Sequence, residues 1–248
     1  MDQSTISGLK TTLKQLLGKE RAAKLRQAYD RWRHAAGTYT WATKSYEVWL
    51  VLQTELYLVR PRSLVEFGSG RSTSYLAEYA YKMGAQLTSI EEHAHYTKKA
   101  NRLLRDSFLP DKYVHHVPVH NGWYDETKVS RLLQSLDSPI DFILIDGPSE
   151  VGTGDRASRC FKKCVVPLLD SVKIAVVDDV HRPECEVTAQ ELVDSFGLTR
   201  YDMRYGKRNA IAFLHSREAE AALAQLPNFL KALFVPTGLP RDVAPQPS

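Results

Sequence analysis

The sequence is poor in cysteine. Cys160, Cys164 and Cys185 are too few and odd in number to staple a fold, which excludes a disulfide framework. Cys160 and Cys164 stand four apart in an apolar helical pattern, which predicts two small hydrophobes on one buried face rather than a metal or redox pair. No apolar run approaches the roughly 18 residues of a membrane-spanning helix. The strongest, Val48-Trp49-Leu50-Val51-Leu52, soon gives way to Gln53 and Glu55. The opening Met1-Asp2-Gln3-Ser4-Thr5 has neither the basic nor the apolar part of a secretory signal, so a cytoplasmic address is expected. There is no internal repeat and no His/Cys spacing of a zinc site. Glycine and proline are not in excess either, at 13 and 12 of 248 residues, which excludes fibrous and low-complexity architectures. What remains, 43% hydrophobic and 25% charged, is the composition of one large globular domain.

The net charge of +4 is small but unevenly placed. Residues 1–35 hold eight Lys/Arg against Asp2, Glu20 and Asp30, so the rest of the chain is close to neutral. Ile6, Leu9, Leu13, Leu16 and Leu17 recur at helical spacing, as do Leu25, Tyr29 and Trp32, with a break at Gly18. Residues 1–45 therefore read as a basic amphipathic helical extension. Such helices cover a domain with a solvated face, or lie on an anionic membrane or RNA. Residues 236–248 carry four of the prolines and read as a flexible tail.

Between them, residues 46–235 alternate short apolar runs with helical patterns. Strands are predicted at 63–67, 86–90, 114–119, 141–145 and 173–177, and helices at 46–59, 73–83, 96–105, 127–136, 156–169 and 184–196. This is the rhythm of a doubly wound, mostly parallel α/β sheet. Two further strand-like runs, 198–204 and 209–214, flank Tyr205-Gly206-Lys207-Arg208 and predict a closing antiparallel hairpin.

In such a sheet, ligands bind beyond the carboxyl ends of the strands. The first strand ends in Glu66-Phe67-Gly68-Ser69-Gly70-Arg71-Ser72-Thr73, a glycine turn leading into a helix, and the second ends in Glu91-Glu92. A carboxylate there can accept the hydroxyl hydrogens of a ribose. A dinucleotide fingerprint would have a third glycine where Thr73 stands, and Glu66 would repel pyrophosphate. Glu66 suits instead the cationic amino acid part of S-adenosylmethionine.

Val65-Glu66-Phe67-Gly68-Ser69-Gly70-Arg71-Ser72-Thr73, Thr88-Ser89-Ile90-Glu91, Phe142-Ile143-Leu144-Ile145-Asp146-Gly147-Pro148 and Val176-Val177-Asp178-Asp179 follow one another as in class I S-adenosylmethionine-dependent methyltransferases, which the chain resembles over about residues 45 to 215. It looks closest to small-molecule O-methyltransferase-like proteins. The resemblance implies a seven-stranded sheet. It implies a cofactor site of Glu66, Gly68, Ser69, Gly70, Ser72, Thr73 and Asp146, with Glu91, or Glu92 one residue on, at the ribose. Trp123 or Tyr124 would cover the adenine or wall the acceptor pocket, with core packing the alternative for either.

Methyl transfer requires alignment of a nucleophile and removal of its proton. Catechol O-methyltransferase-like enzymes bind a divalent cation at these strand ends, which implies Asp146, Asp178 and Asp179 as ligands for Mg²⁺ or a similar ion. Gly147-Pro148 after Asp146 departs from that group. Without a metal, Asp146, Asp179 or His181 is the candidate base and Arg182 could orient an anionic substrate; Asp178 or Asp179 could instead cap the next element. Gly152, Gly154, Asp155 and Arg156 form a loop that either touches substrate or only starts a helix. The expected reaction is methyl transfer to a hydroxyl of a small molecule, such as a sugar or secondary metabolite. Alternatives are an RNA methyltransferase using the basic N-terminal helices, against which the lack of an N-P-P-[YF]-like motif counts, and a non-catalytic module that keeps the cofactor fold. Peripheral membrane contact through the N-terminal helices and a homo-oligomer are also compatible with the sequence.

Overall fold

The structure, a computed structural model, describes residues 46–148, 156–169, 172–205 and 209–225. The basic extension, the loop with Gly152, Gly154 and Asp155, the turn 206–208 and the proline-rich tail lie outside the described residues. The elements run α1 (Tyr46–Val59), β1 (Ser63–Phe67), α2 (Arg71–Met83), β2 (Gln86–Glu91), α3 (Ala94–Asp106), β3 (Val114–His116), β4 (Val119–His120), β5 (Trp123–Tyr124), α4 (Glu126–Gln134) and β6 (Phe142–Ile145). They continue with α5 (Arg156–Cys164), β7 (Ile174–Val177), α6 (Pro183–Phe196), β8 (Thr199–Tyr205), β9 (Asn209–His215) and α7 (Arg217–Leu223).

Seven strands form one sheet in the order β3-β2-β1-β6-β7-β9-β8, with β9 antiparallel to both neighbours and the other pairings parallel. The predicted doubly wound sheet with a closing hairpin is thus present. β1, β6 and β7 are buried along their whole length, which explains why they read as unbroken apolar runs rather than alternating ones. Val65, Phe67, Ile143, Ile145, Ala175 and Val177 point to one side, against Val129, Phe161 and Leu192 of α4, α5 and α6. Leu64, Phe142, Leu144, Ile174 and Val176 point to the other, against Leu52, Leu56, Leu76, Leu104 and Ala219 of α1, α2, α3 and α7. Among the described residues no helix is long and apolar enough to cross a membrane.

Three details depart from the expected elements, each for a local reason. The helix expected to run to Leu169 ends at Cys164, and Pro167 falls within a short 3-10 turn, Val166–Leu168, because proline cannot donate to a continuing helix. The strand expected over 114–119 stops at His116, and Val119 and His120 instead pair with Tyr124 and Trp123. Asn121 and Gly122 make that hairpin, both with positive φ (57° and 84°), the geometry that favours Asn-Gly at a two-residue turn. α7 was not expected; Ser216 caps its start by accepting from the Ala219 amide at 3.2 Å.

Candidate active site

The register places three strand ends side by side. Phe67 faces Ile145 and Ile145 faces Val177, so the next residues, Gly68, Asp146 and Asp178, line up at the carboxyl edge of the sheet. Backbone bonds extend the ladder there, from Gly68 N to Ile90 O (2.8 Å), Asp146 N to Phe67 O (2.8 Å) and Asp178 N to Ile145 O (2.9 Å). The chain is closest at Gly68. Its φ is +88°, and a Cβ on it would lie 2.3 Å from the Asp146 carbonyl oxygen, so only glycine fits. Gly147 is similarly hemmed in, with the Tyr124 hydroxyl 2.6 Å from where its Cβ would be. Gly70 differs: a Cβ there would meet nothing within 4 Å, so the space above it is open.

Two carboxylates hold this turn. Glu66 is fully buried, and its Oε2 accepts from Thr73 Oγ1 (2.8 Å) and Ser89 Oγ (2.6 Å); the Thr73 hydroxyl in turn accepts from the Gly70 amide at 2.8 Å. Glu66 Oε1 is buried with no hydrogen-bond partner. Burial pushes the Glu66 carboxyl up to about 7, against the hydroxyls of Ser72, Ser89 and Thr73, which favour the charged form. Glu91 is also buried, its Oε2 accepting from the Ser69 amide (3.0 Å) and hydroxyl (2.6 Å) and its Oε1 from the His93 amide (2.8 Å). Glu66, Gly68, Ser69, Gly70, Ser72, Thr73 and Glu91 are thus one connected unit, and Glu91 fixes the loop that follows Gly68.

Asp146 opens to solvent at the carboxyl edge of the sheet although protein surrounds it. Its carboxyl is held well above the usual range, first by burial among protein atoms and then by repulsion from Asp178, Asp179 and Glu66. Asp178 Oδ1 accepts from the Asp179 amide at 2.7 Å, and Asp179 sits in the left-handed region with φ 55°. Asp179 Oδ2 pairs with Arg182 at 2.9 Å, and its Oδ1 lies 3.7 Å from His181 Nδ1. The acids expected to hold a metal are therefore neighbours, but this donor set does not fit a divalent cation. A guanidinium already occupies Asp179, Asp178 turns onto the backbone, and among the described residues no group of three or more His, Cys, Asp or Glu converges at metal distance.

Trp123 lies in the core rather than along the cleft. It is 3% exposed and packs at ring-centroid distances of 5.7 Å from Phe67 and 6.2 Å from Phe161, leaving no open face for an adenine; packing is the alternative that fits. Tyr124 points its buried hydroxyl toward the acids, and Glu92, Glu91, Asp146 and Glu66 join burial in keeping it protonated. The Asn-Gly turn, legible in the sequence, is what swings it there.

The glycine turn fits the methionine end of S-adenosylmethionine on two observations: the unpartnered Glu66 Oε1 suits an ammonium, and the space above Gly70 suits a ligand.

Comparison with known proteins bears on the same residues. Residues 65–180 match the family model described as a methyltransferase domain. A solved structure from Staphylococcus aureus, described as a candidate caffeoyl-CoA O-methyltransferase, aligns with a TM-score of 0.51 at 14% identity, covering 81% of this chain and 100% of that one. A cofactor-bound protein from MTB aligns with a TM-score of 0.50 at 18% identity over 84% and 94% of the two chains. An O-methyltransferase from Bacillus cereus in complex with S-adenosylhomocysteine gives 0.49 at 14% identity over 84% and 97%. No curated protein sequence matches. Residues 65–180 thus carry a methyltransferase domain.

Proposed function

We propose that this methyltransferase acts on a hydroxyl of a small molecule and that Asp179 and His181 remove the hydroxyl proton. The observation that carries the reading is the arrangement at the end of β7. His181 Nδ1 lies 3.7 Å from Asp179 Oδ1, close enough for the carboxylate to orient the ring by a small movement and leave Nε2 to take a proton. A hydroxyl needs such a base, because its oxygen must shed a proton as it bonds to carbon.

When bound, S-adenosylmethionine supplies a methyl carbon already activated by the sulfonium. Glu66 would hold the ammonium, the Ser69–Gly70 turn would cradle the carboxylate, and Glu91 would meet the ribose. Asp146, at the edge of β6, would border the reacting centre. His181, its ring held by Asp179, would take the proton that the acceptor hydroxyl sheds on meeting this activated methyl. Asp146, Asp178 and Asp179 cluster at the ends of β6 and β7, with Arg182 already paired, and this disfavours a polyanionic acceptor. That counts against the RNA reading and leaves a neutral small molecule as the better fit.

The test is release of S-adenosylhomocysteine by the purified protein over a panel of neutral polyols, phenols, amines and a single-stranded RNA. Turnover on a hydroxyl, lowered at least about 100-fold by His181→Ala while cofactor affinity is kept, is the expected result. Turnover confined to amines or RNA, or a His181→Ala enzyme as fast as the parent, overturns it.

A further inference from the structure

We propose that the outer surface of α2 and α3, centred on Phe108, docks on an anionic lipid surface. Six large apolar side chains are exposed among the described residues, and five of them fall between positions 81 and 108: Tyr81, Met83, Tyr96, Leu103 and Phe108. Scattered exposed apolar residues are ordinary; concentration on two neighbouring helices is not. Phe108 is 93% exposed, just beyond the end of α3, and its φ of 57° is a conformation that bulky residues rarely adopt. The backbone bonds from Phe108 N to Arg105 O (2.9 Å) and from Leu109 N to Leu104 O (2.8 Å) hold it there, so the ring is presented by a fixed turn.

The charge around this ring selects the partner. Residues 94–112 carry five Lys/Arg against two Asp. Arg102 and Arg105 pair with Asp106 (3.8 Å) and Asp111 (3.0 Å), while Lys98, Lys99 and Lys112 are exposed and make no ion pair within 4.0 Å among the described residues. An exposed aromatic ring at the end of a helix whose exposed lysines are in excess matches the acyl boundary and headgroups of an anionic leaflet.

The experiment is cosedimentation of the full chain with vesicles of phosphatidylcholine alone and of phosphatidylcholine with phosphatidylglycerol. The expected result is binding only to the anionic vesicles, weakened by raising NaCl from about 0.1 M to about 0.5 M. Phe108→Ser and the double variant Lys98→Glu with Lys99→Glu should each bind about tenfold more weakly, with unchanged melting temperature and S-adenosylmethionine affinity. Binding as strong in Phe108→Ser as in the parent overturns the proposal, since basic residues 1–35 would then suffice. Absence of vesicle binding also overturns it; if light scattering then shows a dimer that Phe108→Ser dissociates, a second copy is the occupant. A lower melting temperature in Phe108→Ser overturns it too, by placing another part of the same chain on the ring. So does salt-sensitive binding to a single-stranded RNA without binding to vesicles.

Discussion

At the residue scale, Gly68 and Gly70 look alike in the sequence and do different things. Gly68 is fixed by the protein: Gly68→Ala must accept a left-handed backbone and a contact with the Asp146 carbonyl, and should destabilise the fold by about 3 kcal/mol or more. Gly70→Ala meets no protein atom, so its stability should stay within about 0.5 kcal/mol while S-adenosylmethionine affinity falls at least tenfold. Calorimetry with thermal melts on both variants checks the pair, and equal affinity in Gly70→Ala would show that no ligand uses that space. Glu66 contributes a pH dependence. Its carboxyl titrates near 7 in the fold against 4.5 as its ordinary value, so the unfolded chain gives up its proton first. Its contribution is fully present below about 4.5 and is lost as pH rises through about 7. Denaturant melts should show stability falling across that window and the fall becoming shallower in Glu66→Gln, the rest belonging to Asp146, Glu55 and Asp141, whose carboxyls burial also raises; a slope unchanged by the substitution would refute it. The identity of this acid was legible, because a carboxylate just before a glycine turn is unusual. Its burial was not, since the hydroxyls that enclose it come from α2 and from β2.

At the element scale, α1 shows what an apolar helix conceals. Glu55 reads as an interruption of the Val48 to Leu52 run, yet it is fully buried and its Oε1 lies 2.7 Å from His215 Nε2 at the end of β9, 160 residues away. The contact ties the first helix to the antiparallel strand of the sheet. Breaking a buried pair by removing one partner leaves the other uncompensated, so Glu55→Ala should cost about 3–5 kcal/mol, measured by urea denaturation. A loss below 1 kcal/mol, roughly a surface value, would mean that the pair does not hold the helix. Hairpin β4–β5 teaches the opposite lesson. Asn121-Gly122 announces it locally, and Pro118 explains why β3 cannot extend into it, so only the weight given to a long apolar run hid it. Arg200 of β8 grips Glu186 of α6 through two bonds of 2.8 and 2.6 Å and its strand neighbour Asp202 through two more of 2.7 and 3.1 Å, a clamp between sheet edge and helix that no local pattern displays.

At the scale of the whole molecule, the sheet order brings the ends of β1, β2, β6 and β7 to one edge, and binding there should stabilise the native state as a unit. S-adenosylmethionine or S-adenosylhomocysteine at about 100 times its Kd adds about 2.7 kcal/mol. For a chain of this size that is a rise of about 5–10 °C in melting temperature. Differential scanning fluorimetry with each ligand measures it, and a melting temperature indifferent to both would leave the site without its cofactor. The sequence by itself determined the alternation of buried strands and helices, the closing hairpin, and the glycine turn with Glu66 before it and Glu91 after it. These are written in local periodicity and in residues whose backbone geometry few others can adopt. Only the tertiary structure decided that Arg182 pairs with Asp179, that Trp123 is enclosed between Phe67 and Phe161 while Tyr124 faces the acids, and that Glu55 meets His215. Each of these depends on which face of an element meets a partner distant in sequence, and that is set by the packing of the whole sheet and its two helical layers.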